Sequence, residues 1–198
     1  MLEIKTSDPI DLFSEWYQSA LDSGVKNPDA MALATVDSKS GHPKVRMVLY
    51  KGLNQKRLWF VTSYLSPKSK DLEALPHAAL CFFWDHDPQR QIRIEGSVEK
   101  LPRTESEAYF SSRPRESQIG AWASEQSSVI PDRDYLEASY QKCEKSFEGQ
   151  PVPCPETWGG WTLTPSRFEF WEGRSGRLHD RFQFTTHHGI WRMDRLAP

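Results

Sequence analysis

Short β-forming segments joined by tight turns most constrain the fold of this chain. In segment 91–101, Ile92 and Ile94 alternate with Gln91, Arg93 and Glu95, which predicts a strand with one buried face and one polar face. The connectors between such segments are short and rich in Gly, Asn, Asp and Pro. This pattern predicts an antiparallel meander and not a series of βαβ units, with strands at 30–36, 44–51, 58–64, 78–84 and 91–101.

Two helices are predicted around these strands. Asp8 as N-cap and Pro9 in the first turn indicate that residues 1–25 contain a helix, whose apolar stripe would cover the sheet. Ser66 followed by Pro67 predicts a second, shorter helix, because proline is well tolerated at the first helical position.

A helical insert is predicted over residues 103–149. Residues 104–107 have the pattern of a capping box with Thr104 as N-cap, and further helices are expected at 116–123 and after Pro131. Strands on both sides of an insert indicate one barrel-like sheet in a single domain, 1–198. The later strands are predicted at 158–163, 167–171, 181–185 and 190–193.

Composition excludes several classes of protein. The net charge of -2 gives no basic field of the kind that a nucleic-acid binder shows. An odd count of three cysteines argues against a disulfide framework and favours a reducing, cytoplasmic compartment, and no apolar run is long enough to span a membrane. His187 and His188 are interpreted as the tip of a hairpin, so no metal site is predicted.

A positively charged segment near the C-terminus is the strongest local sign of a ligand. If residues 177–181 are extended, Arg177, His179 and Arg181 point the same way, because side chains alternate along a strand. Two guanidiniums around an imidazole repel one another unless an anionic or electron-rich group lies among them. A solvated edge strand with ordinary surface arginines is the alternative.

Several further motifs occur with this segment in a recognisable order, at 46–51, 60–63, 66–68, 90–96, 109–124, 126–128, 168–173, 177–181 and 195–198. Together they resemble the FMN-dependent pyridoxine/pyridoxamine 5'-phosphate oxidases, from about residue 8 to the last residue. The resemblance implies a mainly β fold with α insertions, an antiparallel FMN-binding split β-barrel with flanking helices, and a homodimer with flavin sites at the subunit interface.

The resemblance also implies which residues bind FMN. Lys51 is an odd number of residues from Arg46, so the two serve one ligand only if the strand bends or ends, or if they contact different groups. For Arg46 a plain strand-surface position is the alternative, and for Gln91 a solvated outer face. The implied cofactor-binding residues are Arg46, Met47, Val48, Leu49, Tyr50, Lys51, Val61, Thr62, Lys68, Gln91, Gln126, Ser127, Trp171 and Arg181.

The implied reaction is oxidation of pyridoxine or pyridoxamine 5'-phosphate to pyridoxal 5'-phosphate by dioxygen, with release of hydrogen peroxide and, from the amine, ammonia. Arg177 and His179 are the implied catalytic residues. A different split-barrel flavin reductase, or a carrier of FMN or pyridoxal phosphate, is the alternative. The implied substrate-binding residues are Lys51, Tyr109, Arg113, Ser117, Arg177, Leu178 and His179.

Pro67 departs from the family pattern. The family usually has an arginine there, which helps to hold the flavin phosphate, so one positive charge is missing from this chain. Backbone donors at the start of the helix that follows would compensate in part. We therefore expect weaker FMN binding unless another cation takes this place.

Overall fold

A single antiparallel sheet forms the body of the computed structural model, which describes residues 4 and 6–198. Its nine strands follow the order β2-β1-β5-β6-β7-β4-β3, with β8 paired to β7 and β9 to β8. The ladder does not close into a complete ring. The strands are β1 (Ala30–Val36), β2 (Pro43–Leu49), β3 (Leu53–Asn54), β4 (Arg57–Ser63), β5 (His77–Trp84), β6 (Arg90–Lys100), β7 (Trp158–Glu172), β8 (Asp180–His187) and β9 (Ile190–Arg195).

The strand pairing is more complex than a meander. All pairs are antiparallel, as predicted, but β1 pairs with β5, and β4 pairs with β7 across the helical insert. The simple meander is therefore wrong. The prediction failed for a physical reason. Turn residues indicate which consecutive strands form hairpins, but they do not indicate which strand later in the chain pairs with the free edge of a hairpin.

β7 is one continuous strand, whereas the sequence predicted two. Pro165 pairs with Gly96 at a register shift between Glu95 and Gly96. This bulge tolerates a residue without an N–H group, because ladder bonding is already interrupted there. A Cβ on Gly96 would lie 2.1 Å from the Thr164 carbonyl oxygen, so the close approach requires glycine. The N-terminal half of β7 pairs with β4 and its C-terminal half with β8.

Five helices flank the sheet among the described residues. Asp8 caps the first, accepting a hydrogen bond of 2.9 Å from the Ile10 amide, as predicted. The capping box at Thr104 is wrong, since the third helix already starts at Arg103, whose guanidinium donates to the carbonyls of Cys154, Pro155 and Trp158. The helices are α1 (Pro9–Asp22), α2 (Pro67–Ala74), α3 (Arg103–Ser112), α4 (Arg115–Ala123) and α5 (Arg133–Ser146).

The main core lies between α1 and the sheet. Phe13 and Trp16 of α1 meet Phe82 of β5 and Phe170 of β7 with ring centroids 5.2 Å apart in each pair. These side chains are almost fully buried, and burial of each large aromatic ring contributes roughly 1.5–3 kcal/mol. The predicted covering helix thus packs on the sheet.

A smaller apolar cluster joins the helical insert to β7. It contains Phe110, Ile119, Val152 and Trp158, and it fixes the turn between α3 and α4 above the end of β4. No helix in the described part of the chain is both long and apolar enough to cross a membrane.

Candidate active site

A cavity of about 510 Å³ lies between β2, β4, the start of α2 and the turn from α3 to α4. Its volume is in the range of small-molecule sites. Most of its lining was predicted from the sequence as cofactor-binding or substrate-binding. The lining residues are Met47, Val48, Leu49, Lys51, Val61, Thr62, Lys68, Tyr109, Ser112, Arg113, Pro114, Ser117 and Gln126.

Lys68 places a buried ammonium group in this cavity. Its Nζ donates to Thr62 Oγ1 at 3.0 Å and to Gln126 Oε1 at 3.1 Å, and the side chain is only 8% exposed. Burial, and then the nearby Arg46, lowers the pKa of Lys68. A buried ammonium whose acceptors are neutral is costly, because a hydroxyl and an amide do not compensate its charge. An anion in the cavity would supply that compensation.

Arg113 supplies a second, half-buried cation at the same cavity. Its guanidinium carbon lies 4.7 Å from the centroid of the Trp158 ring, and its NH1 is buried without a hydrogen-bond partner among the described residues. Burial lowers its pKa. Within residues 4 and 6–198, neither Arg113 nor Lys68 has a carboxylate within 4.0 Å. Unsatisfied buried donors of this kind indicate a missing acceptor.

The turn that carries Arg113 is held by Gln118. α3 ends at Ser112, Arg113 is its C-cap, and α4 starts after Pro114, so Pro114 separates the two helices. The buried Gln118 amide donates to the carbonyls of Phe110, Ser111 and Arg113 at 3.0–3.2 Å. Tyr109, Arg113 and Ser117 still face one cavity, because this amide closes the turn.

The end of β2 separates Arg46 from Lys51. β2 stops at Leu49, so Lys51 lies beyond the strand and lines the cavity, with Nζ 3.5 Å from Asp29. Arg46 does not line it. Its NH1 donates to Thr35 Oγ1 at 2.7 Å and to the Leu33 carbonyl, and its NH2 lies 3.9 Å from the buried Asp71.

Two more of the implied cofactor residues lie outside the cavity lining. The Tyr50 ring packs in the core, with its centroid 5.4 Å from that of Phe13, and burial raises its pKa, so its side chain is not available at the site. Ser127 is exposed, with φ 71°, next to Gln126. Gln126 Oε1 also accepts a hydrogen bond from Thr62 at 2.8 Å. Its side chain is therefore held by two residues of the cavity.

The remaining implied site residues form a second group, named here the β6–β8 cluster: Gln91, Trp171, Arg177, Leu178, His179 and Arg181. Gln91 pairs with Trp171 and Trp171 with Arg181, so the three lie in one row across β6, β7 and β8. The Arg181 guanidinium contacts Oε1 of the buried Glu169 through Nε at 2.9 Å and NH2 at 2.7 Å.

The expectation that Arg177, His179 and Arg181 line one face of an extended run is wrong. Ser175–Arg177 forms a 3₁₀ turn, with φ of 63° at Gly176 and 60° at Arg177, and β8 begins only at Asp180. Arg181 is neutralised by Glu169, and the His179 ring instead lies 4.6 Å from that of Trp171. The sequence contains glycines in this segment, but its pattern did not indicate that the strand is broken after Gly173.

The cavity and the β6–β8 cluster are separate in one chain. Thr62, which lines the cavity, pairs with Gly159 near the start of β7. Trp171 is about 12 residues further on, roughly 40 Å of strand at about 3.3 Å per residue. In the part of the chain that the structure describes, no hydrogen bond, ion pair or ring contact joins the two regions.

Sequence reasoning missed several residues of the site. Ser112 and Pro114 line the cavity, and Gln118 and Glu169 hold residues that were predicted. Ser112 and Pro114 flank Arg113 directly, so the motif itself contained the signal. Nothing in the sequence indicated which arginine would pair with Glu169.

The fold and the two cation-lined regions define a class, the flavin-binding oxidoreductases of the split-barrel type. Residues 18–147 match the family model described as pyridoxamine 5'-phosphate oxidase, and residues 158–198 match the pyridoxine 5'-phosphate oxidase C-terminal dimerisation region. The chain belongs to the pyridoxine/pyridoxamine 5'-phosphate oxidase family. A relative of that name from Leptospira biflexa serovar Patoc is 50% identical over 191 residues, covering 96% of this chain and 89% of the relative.

Solved structures share the fold. PhzG from Burkholderia lata 383, in complex with tetrahydrophenazine-1-carboxylic acid, has a TM-score of 0.91 at 28% identity, covering 98% of this chain and 94% of that one. A pyridoxamine 5'-phosphate oxidase-related, FMN-binding protein from Nostoc punctiforme has a TM-score of 0.77 at 17% identity, covering 96% and 98%.

The family is FMN-dependent and dimeric, with a small-molecule substrate. The cavity fits a phosphorylated cofactor, since Lys68 and Arg113 both lack an anionic partner among the described residues. Among the described residues, no group of three or more His, Cys, Asp or Glu side chains is placed to hold a metal ion.

Proposed function

We propose that this chain oxidises pyridoxine 5'-phosphate or pyridoxamine 5'-phosphate to pyridoxal 5'-phosphate, with dioxygen as acceptor and hydrogen peroxide as product. The amine substrate also releases ammonia. One observation carries the proposal: the buried Lys68 and the half-buried Arg113 face one cavity, and within the described residues neither has a carboxylate partner. Such a site suits two anionic groups, the phosphate of a cofactor and that of a substrate. Three unpaired cysteines favour a cytoplasmic location.

The FMN phosphate is assigned to the Lys68 side of the cavity. Lys68, Thr62 and Gln126 would hold it there, and the backbone of residues 47–49 would border the rest of the cofactor. FMN supplies a two-electron acceptor that dioxygen can reoxidise. Two α2 amides, those of Ser69 and Lys70, donate to the Ser66 carbonyl. Lys68 therefore contributes more to anion binding than the α2 N-terminus.

The substrate phosphate is assigned to the Arg113 side. Arg113 stands against the Trp158 ring, and Lys51, Tyr109 and Ser117 complete the lining. Because this phosphate does not change during the reaction, these residues bind the ground state and the transition state alike. They determine affinity and place the pyridine ring.

The reacting carbon is assigned to Arg177 and His179 of a second copy of the chain. In a homodimer with sites at the interface, the β6–β8 cluster of one copy would complete the cavity of the other. Arg177 would stabilise charge at the substrate oxygen or amine, and His179 would orient that group. Holding substrate and cofactor in a reactive arrangement supplies about 7–11 kcal/mol of catalysis in well-oriented systems.

Anaerobic addition of pyridoxamine 5'-phosphate to the FMN-loaded protein tests the proposal. We expect the flavin absorption band to bleach, and admission of air to restore it with formation of peroxide. Binding of the ligand without bleaching would indicate a carrier. Bleaching by a reduced nicotinamide but not by pyridoxamine 5'-phosphate would indicate a flavin reductase. Either result would contradict the proposal.

A further inference from the structure

Two buried carboxylates face each other at the base of the loop that carries Arg177 and His179. Glu172, at the end of β7, pairs directly with Asp180, at the start of β8. Glu172 is 3% and Asp180 is 6% exposed. Like charges directly opposite each other on paired strands repel, and the repulsion is stronger where water is excluded.

Arg174 lies between these two carboxylates. Its NH2 is 2.7 Å from Glu172 Oε1, and its Nε donates to Asp180 Oδ2 at 3.0 Å. One guanidinium thereby links the two strand residues that flank the loop. Since Gly176 and Arg177 both have left-handed backbone angles, and this conformation is unfavourable for arginine, the loop needs such an anchor to hold its shape.

The main chain of Arg174 also fixes the His179 ring. The Arg174 amide donates to His179 Nδ1 at 3.1 Å. An N–H donor opposite Nδ1 requires that this nitrogen carry no proton. In the neutral ring the proton is then on Nε2, which becomes the donor that His179 presents to a ligand.

The sheet does not depend on Arg174. Glu172 also accepts a hydrogen bond from Arg90 Nε at 3.0 Å, and Asp180 also accepts one from Arg195 NH1 at 2.7 Å. Each carboxylate therefore retains a cation when Arg174 is removed, so the lost contacts affect the loop and not the strand pairing.

We propose that Arg174 is a positioning residue that clamps loop 173–179 and holds His179 as the Nε2–H tautomer. The proposal rests on the assignment of Arg177 and His179 to the substrate. The side chain of Arg174 closes the loop through Glu172 and Asp180, and its amide sets the tautomer.

Kinetics of three variants test the clamp. Arg174→Ala is expected to lower kcat by about 10- to 100-fold with KM nearly unchanged, because misplaced reacting groups lose orientation and not affinity. Arg174→Lys keeps the charge but cannot bridge both carboxylates in the same way, so kcat should recover in part. Arg192→Ala, which removes an exposed arginine whose ion pair within the described residues is with Asp194, is the matched control. A kcat of Arg174→Ala equal to that of Arg192→Ala would overturn the proposal.

Nitrogen NMR of histidine-labelled, FMN-free protein tests the tautomer without any turnover. The His179 signals are assigned by their loss in His179→Gln. We expect an unprotonated Nδ1 and a protonated Nε2 in the wild type, and averaging of the two tautomers in Arg174→Ala. A protonated Nδ1 in the wild type, or identical spectra of wild type and Arg174→Ala, would overturn the proposal. An inactive wild type with the expected spectra would contradict the oxidase assignment alone.

Discussion

The cavity and the β6–β8 cluster both contain conspicuous cations, but they treat those cations in opposite ways. In the cavity, the buried Lys68 and the half-buried Arg113 have no carboxylate partner among the residues that the structure describes. Around the β6–β8 cluster, Arg181 and Arg93 share Glu169, and the neighbouring arginines alternate with Glu172 and Asp180.

This difference distinguishes cations that bind a ligand from cations that stabilise the fold. An uncompensated buried cation lowers the stability of the empty protein and strengthens the binding of an anion that restores the balance. A cation shared with buried carboxylates fixes the geometry of strands and loops instead. An arginine-rich motif in the sequence does not show whether its cations bind a ligand or stabilise the fold. The partners of each cation in the structure show which of the two it does.

The largest effect is expected from Lys68→Met. Loss of a charge-assisted contact costs about 1.5–3 kcal/mol, so FMN affinity should fall roughly 10- to 150-fold. Titration of the apoprotein, followed by flavin fluorescence, measures this. Lys70→Met, an exposed lysine on the same helix, is the control and should bind FMN normally. Equal FMN affinities of the two variants would contradict the assignment of the FMN phosphate to the Lys68 side of the cavity.

Arg113→Ala should act on the substrate and not on FMN. We expect KM to rise by roughly 10- to 150-fold with kcat little changed, because the substrate phosphate is bound alike in ground and transition states. Arg115→Ala is the matched control, since Arg115 lies two residues away but donates to the carbonyls of Phe147 and Gln150. Steady-state kinetics decide, and a loss of kcat at constant KM would reverse the assignment.

Glu169→Gln should lower the stability of the fold, because Glu169 pairs with cations that have a structural role. This change removes the carboxylate between Arg93 and Arg181. We expect the free energy of unfolding to fall by about 2 kcal/mol. This is below the 3–5 kcal/mol typical of a broken buried ion pair, because Arg93 is nearly half exposed. Thermal unfolding of the FMN-free protein should show a Tm lower by roughly 4–8 °C. Lys68→Met, in contrast, should not lower Tm, since it removes a charge that burial penalises.

Pro67→Arg is expected to have the smallest effect. It would restore the arginine usual in the family, and FMN binding should tighten by up to about 2 kcal/mol if the guanidinium reaches the phosphate. The gain is limited because Arg46 is already close enough to lower the pKa of Lys68. Unchanged affinity in the same fluorescence titration would show that the new guanidinium does not reach the phosphate, or that another cation already takes its place.

Local signals predicted local structure well. The cap at Asp8, the strand Ala30–Val36 and the short helix predicted at 116–123 all depend on neighbouring residues, and the structure confirms them. The path of β7 through Pro165 and its pairing with β4 depend on strands far away in sequence. The same holds for the site, where the lining by Lys68 and Arg113 was predicted but the orientation of Arg46 toward Thr35 and Asp71 was not.

A heterodimer of two defective chains tests the central claim, that each site combines the cavity of one copy with the β6–β8 cluster of another. One chain carries Arg113→Ala and the other Arg177→Ala, and two different tags isolate the mixed dimer. One of its two sites then holds both substitutions and the other holds neither, so activity at low substrate should be about half that of the wild type. Activity no higher than that of the two parent variants would contradict the claim and place each site within a single chain.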